Sequence, residues 1–233
     1  MHKFGWRWAL LVCISLTACG GGGGDAPVAS PTVTSTDARA AWRSLLSTSR
    51  VLSASGTGSD SASYQLSVTI QPMGTTTVNG TQVQQVNISS ILNRNSVANN
   101  SSSYDLFLVN GTGVAFAYRE PSGDCSLFAA ASEPPSSPAV IGQSGPLYSG
   151  SVVVGCSLIN GVPVVTNGTI SGTWSIQSEG AITFLCVDSR RQDSSTTSQL
   201  SCVEVNNATG ALGTRVRITL TQGSASSLVL RNY

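Results

Sequence analysis

The chain has 233 residues, of which 84 are serine, threonine or glycine (38, 22 and 24), while 23 are charged (12 basic, 11 acidic) and the net charge is +1. So little charge, with no basic excess, argues against a nucleic-acid-binding face and against an acidic disordered tail. The only histidine is His2 and the only lysine is Lys3. Everything beyond them lacks the usual base of Ser/His and Cys/His hydrolases, the commonest metal ligand, the P-loop lysine and a Schiff-base amine.

Residues 1–18 read as an export signal. Lys3 and Arg7 precede an apolar run from Trp8 to Ala18, too short to span about 30 Å of hydrocarbon. The following Leu16-Thr17-Ala18-Cys19 resembles the lipobox of bacterial lipoproteins. That resemblance implies a diacylglycerol on the Cys19 sulfur, cleavage before Cys19 and acylation of the new amino group. With Gly20 instead of Asp after the cysteine, it also implies delivery to the outer membrane of a Gram-negative envelope, the domain facing the periplasm or the cell surface. Two or more acyl chains anchor stably where one does not. Cleavage removes 18 residues and leaves 215, with 10 arginines against 11 acids, so the net charge becomes −1 and the basic excess belongs to the signal. Residues 19–35, with a glycine run, Pro27 and Pro31, have no periodicity and read as a flexible tether. Its reach is about 20–24 Å for about 16 residues of random coil.

A helix is predicted over 36–48. Ala38, Ala41, Trp42, Leu45 and Leu46 recur at the spacing of one helical face, Ser35 or Thr36 can cap it, and Asp37 falls in the first turn, where the helix dipole favours negative charge. Arg39 and Arg43 stand one turn apart on the other face as candidate contacts to anionic headgroups, a solvated face being the plainer alternative.

From Ala62 the period changes to two. Tyr64, Leu66, Val68 and Ile70 alternate with Gln65, Ser67, Thr69 and Gln71, and Val216, Ile218 and Leu220 with Arg215, Arg217, Thr219 and Thr221, the pattern of strands with one wet face. About eleven strands are predicted, near 62–71, 82–91, 103–109, 113–119, 125–131, 148–155, 162–166, 169–177, 181–187, 199–205 and 214–232, the last long enough for two. Asn79-Gly80, Asn110-Gly111, Asn160-Gly161 and Asn167-Gly168 each mark a hairpin, because Asn-Gly suits the type I′ turn. Asn93 to Ser103 and Ser132 to Pro146 are expected to be long loops. So many strands in so short a chain must close or stack. The expected fold is mainly β, an antiparallel meander closing into a β-barrel or half-barrel behind one N-terminal helix, with residues 36–233 as one domain. A two-sheet β-sandwich is the alternative. Four Phe, two Trp and five Tyr after Cys19 cannot build the aromatic girdles of a membrane-embedded barrel.

Four cysteines follow Cys19: Cys125, Cys156, Cys186 and Cys202. In an oxidising compartment they read as disulfides, with three pairings open. Cys186 with Cys202 is the natural cross-hairpin bridge, which leaves Cys125 with Cys156. A redox or metal site is disfavoured by the absence of C-x-x-C spacing and of histidine.

Of catalytic devices only a carboxylate pair remains. Glu120 and Asp124 flank Pro121-Ser122-Gly123, and Asp188 and Asp193 flank Arg190-Arg191. Both pairs sit in hydrophilic turns, unlike the buried acid a glycosidase needs. Arg190 and Arg191 can clamp an anion, or be satisfied by the flanking acids; Trp174 can be a ligand platform or a core residue of its strand. A helix followed by a long antiparallel meander resembles the layout of the outer-membrane lipoprotein receptor, in element order alone. The expectation is a lipid-anchored envelope protein that binds without catalysis and without cofactor or metal: a carrier of a hydrophobic or amphipathic ligand. The alternatives are a structural or adhesive subunit of an outer-membrane complex and, last, a carboxylate-based glycan hydrolase.

Overall fold

The alternating strands close into a ring. The computed structural model describes residues 35–128, 134–155, 166–192, 196–222 and 226–233. In chain order the elements are β1 (Ser35–Thr36), α1 (Ala38–Ser47), β2 (Arg50–Thr57), β3 (Ser63–Val78), β4 (Thr81–Arg94), β5 (Val97–Val109), β6 (Ala115–Arg119), β7 (Cys125–Leu127), β8 (Ala139–Val140), β9 (Ser144–Val153), β10 (Thr166–Glu179), β11 (Ile182–Gln192), β12 (Thr196–Val205), β13 (Leu212–Gln222) and β14 (Ser226–Arg231). All strands but β1 and β8 form one closed barrel, in the order β2-β3-β4-β5-β6-β7-β9-β10-β11-β12-β13-β14 and back to β2. Every neighbouring pair is antiparallel. The barrel expectation holds, and the sandwich does not form.

Register places apolar residues on one side of each ladder. Ile70 faces Ile88 and Leu66 faces Leu92 across β3–β4, while Leu185 faces Val203 and Val203 faces Val216 across β11–β12–β13. These residues point inward; Gln65, Gln71 and Arg215, of the opposite parity, are exposed. Two joints in the ring are thin, since β7–β9 and β14–β2 are each registered through a single residue pair, Cys125 with Val153 and Arg231 with Ser55.

The interior is wide because of strand number. Eight strands leave room only for side chains, and diameter grows roughly linearly with strand count, so twelve need a plug or remain hollow. Helix α1 closes one end. Ala38, Ala41, Trp42, Leu45 and Leu46 are its buried residues, the face expected from their spacing. The indole N–H of Trp42 donates to the Gly113 carbonyl at 2.9 Å, and Arg43 donates to the Thr112 carbonyl, tying the helix to the β5–β6 loop. The cap differs from expectation. Asp37 itself is the N-cap, its Oδ1 accepting from the Ala40 amide at 3.0 Å, because Ser35 and Thr36 are committed to β1, which pairs with β8.

Four other local expectations change. Strand β2 was not anticipated, since its inward positions Leu52, Ala54 and Gly56 are mostly too small to mark an alternation. Asn93 to Ser103 is not a long loop: β4 and β5 run through it and reverse at Asn95-Ser96, both at positive φ (50° and 66°), as in the Asn79-Gly80 turn (48° and 76°). Asn167-Gly168 is not a hairpin turn but an irregularity inside β10, where the register to β9 shifts between Thr166 and Thr169. The Pro-rich stretch is likewise shorter than expected, for β8 and the start of β9 fall within it. The Asn160-Gly161 turn, and the strand expected near 162–166 apart from Thr166, lie outside the described residues.

Cys186 and Cys202 are directly opposite across β11–β12 and disulfide-bonded, as expected. Cys125 is also disulfide-bonded; Cys156 lies outside the described residues.

Candidate functional site

With α1 across one end, the barrel is a cup. Its cavity has a volume of about 1050 Å³. Trp42, Leu45 and Leu46 of the helix form the floor, and Leu52, Leu66, Val68, Ile70, Leu106 and Val203 are part of the lower wall. All nine are buried hydrophobics. Among the described residues the other end is open and framed by the β2–β3, β4–β5 and β6–β7 turns, with Ser59, Asp60 and Ser122 at the rim.

Polarity rises from floor to mouth along single strands. On β11 the inward sequence is Leu185, Val187, Ser189 and Arg191; on β12, read from the same end, it is Val203, Ser201, Gln199 and Thr197. Midway up, Ser90 and Ser102 share a hydrogen bond of 2.8 Å, the Gln199 amide donates to Ser201 at 2.8 Å, and Tyr148 bonds Ser189 at 2.8 Å. The Tyr148 ring lies across Gly172 of the next strand, where any β-carbon would collide with it. Gly172 is therefore what lets the Tyr148 hydroxyl reach Ser189, and Phe128 stacks on the same ring at 4.7 Å.

Tyr104 and Tyr118, rings 5.1 Å apart, line the same wall. Burial pushes both phenols well above the ordinary tyrosine range, and it does the same for Tyr148 against the opposing hydrogen bond from Ser189. All three are neutral hydrogen-bonding groups at physiological pH.

The residues singled out from sequence are placed differently from one another. Arg190 pairs with Asp188 at 2.8 Å, as its flanking acid suggested. Arg191 reaches beyond its own strand. It pairs with Glu120, and with Asp124 at 3.6 Å, joining β11 to the β6–β7 turn across the thin β7–β9 joint. Glu120 also accepts from the Tyr118 hydroxyl. The carboxylate pair and one arginine, considered separately in sequence, are thus one cluster at the mouth, while Asp193 lies outside the described residues. Trp174 is buried, 4 % exposed, packed over Gly145 in the core; it is not part of the main cavity wall but lines a second, smaller cavity with Gln177, Asp188 and Leu200. Arg39 and Arg43 are exposed at the base, and each donates to a loop carbonyl, of Pro135 and Thr112 respectively. Cys19 lies outside the described residues.

Sequence reasoning missed the polar ring. Hydroxyl residues were assigned to outer faces, yet Ser90, Ser102, Ser189 and Ser201 face inward. Parity held the signal, since Ser90 sits in phase with Ile88 and Leu92, and Ser201 with Val203.

The fold and cavity define a closed antiparallel β-barrel of twelve strands around a cavity. No protein-family model, curated protein or solved structure matches the chain, so the resemblance to the lipoprotein receptor stays one of element order.

Proposed function

We propose that the protein is a lipid-anchored envelope carrier that holds a hydrophobic or amphipathic ligand in the barrel and acts by binding, without catalysis. The observation that carries this reading is the cavity: about 1050 Å³, floored by Trp42, Leu45 and Leu46 and open at one end. Ligand pockets are typically of this size and mainly apolar, with a few placed polar groups. A structural subunit has no need of such a space, and a filled barrel would have favoured that role. A glycan hydrolase needs a free proton-donating carboxyl, whereas Glu120 and Asp124 both engage Arg191.

The test is native mass spectrometry and solvent extraction of the full chain purified from a bacterial envelope. A co-purifying apolar molecule is expected, and replacing Ser201 in the wall with tryptophan should abolish its retention while leaving the circular dichroism unchanged. Absence of any retained molecule, with no uptake of added lipid, overturns the carrier reading.

A further inference from the structure

The cations of this protein decide which amphiphile the cup can hold. Beyond Cys19 there is no lysine and no histidine, so ten arginines are the only side-chain cations, and all ten are among the described residues. Seven make ion pairs: Arg94 with Asp60, Arg119 with Asp105, Arg190 with Asp188, Arg191 with Glu120 and Asp124, Arg215 with Glu204, and Arg217 and Arg231 with Glu179. The other three, Arg39, Arg43 and Arg50, bond Pro135, Thr112 and Ser44 at the base and are not part of the cavity wall. Of the charged groups at the mouth, Asp60, Glu120, Arg190 and Arg191 line the cavity, and both guanidiniums are already paired, Arg190 with Asp188 and Arg191 with Glu120 and Asp124. Asp60 is held below the usual carboxylate range by hydrogen bonds from the Ala62 amide, Arg94 and Tyr64, so it stays charged.

An amphiphile seated tail-down would place its headgroup among these residues and the hydroxyl ring. A carboxylate or phosphate there would meet arginines already paired with acids. It would have to break an existing ion pair or lie partly buried without a counter-ion, and either is costly. A hydroxylated, uncharged headgroup needs only donors and acceptors. The Ser90–Ser102, Gln199–Ser201 and Tyr148–Ser189 pairs supply them.

Resting on the carrier reading, we infer that the cup selects neutral amphiphiles, an acyl chain on an uncharged hydroxyl-bearing head, over fatty acids and anionic phospholipids. The probes are monoolein and oleate, which share one acyl chain and differ in the head. The full chain is exposed to an equimolar mixture at neutral pH and freed of excess by gel filtration, and the retained lipid is extracted and quantified by mass spectrometry. Monoolein should exceed oleate by about tenfold or more, the factor that corresponds to about 1.4 kcal/mol. Equal retention, or an excess of oleate, overturns the selectivity and leaves the carrier reading standing; retention of neither overturns both. The combined Glu120→Gln and Asp124→Asn variant takes two paired carboxylates away from Arg191 and should move the ratio toward oleate by about tenfold. An unmoved ratio in a variant that still retains monoolein would overturn the role given to ion pairing.

Discussion

The floor of the cup is the part whose removal has the most calculable consequence. Trp42 is 3 % exposed, belongs to the main core and donates its indole N–H to the Gly113 carbonyl at 2.9 Å. Burying a tryptophan removes about 150–250 Å² from water, worth about 4–6 kcal/mol at about 25 cal/mol per Å² and an upper bound because the unfolded chain is itself partly collapsed. Measured aromatic-to-alanine losses of about 3–5 kcal/mol agree, so Trp42→Ala should destabilise by about that amount, a large share of the about 5–15 kcal/mol of an ordinary domain. Trp42→Phe keeps a ring, loses the donor and strands the Gly113 carbonyl, for which about 1–3 kcal/mol is expected. Urea unfolding followed by circular dichroism and by the fluorescence of Trp174, the remaining tryptophan after Cys19, measures both. The losses should rank alanine above phenylalanine, with a shared midpoint for the two probes. A loss under about 0.5 kcal/mol for Trp42→Ala, the range of surface substitutions, would refute the placement of α1 as the packed floor.

Other expectations follow from the same geometry. Arg191→Gln leaves Glu120 and Asp124 without their shared guanidinium at groups 13–22 % exposed; a loss of about 1–3 kcal/mol is expected, with faster amide hydrogen exchange confined to β7 and β9, and uniform exchange rates would disprove the bracing role. Cys202→Ser opens a bridge of sequence separation 16 and should cost about 3 kcal/mol, readable as a lower urea midpoint that reduction of the wild type reproduces in part. Asp37→Ala removes the N-cap at about 1 kcal/mol. The Asp37 carboxyl is lowered by the Ser137 hydroxyl and the Ala40 amide, so its contribution is present above the ordinary carboxylate pKa and lost as pH falls through the lower folded value. The wild type, but not the variant, should show that acid loss. Tyr104, Tyr118 and Tyr148 have raised pKa values through burial; their contribution is whole below about pH 10, where free tyrosine ionises, and is lost above it. Tyrosinate absorbance should lag until the barrel unfolds, and five phenols titrating together near pH 10 would show the wall to be wet.

The strands of this protein are legible in its sequence because burial on one face imposes period two directly on residue type, as in Tyr64 to Ile70 and Val216 to Leu220. The same holds for the helix, whose apolar residues Ala38 to Leu46 are the ones buried, and for the Cys186–Cys202 bridge, whose cysteines lie in consecutive strands. Each is a local regularity, written within a few residues. What only tertiary structure decided is how distant segments meet. β2 carries too few large side chains to announce itself, yet it completes the ring of twelve strands that leaves the centre hollow. Arg191 finds Glu120 and Asp124 about seventy positions away, and no spacing rule encodes a pairing across the mouth of a barrel. Ser90 and Ser201 look in sequence like the wet side of a sheet and become the polar ring of a cavity. A serine of inward parity is the same residue in a filled core or a hollow one, and closure of the ring made it part of the site.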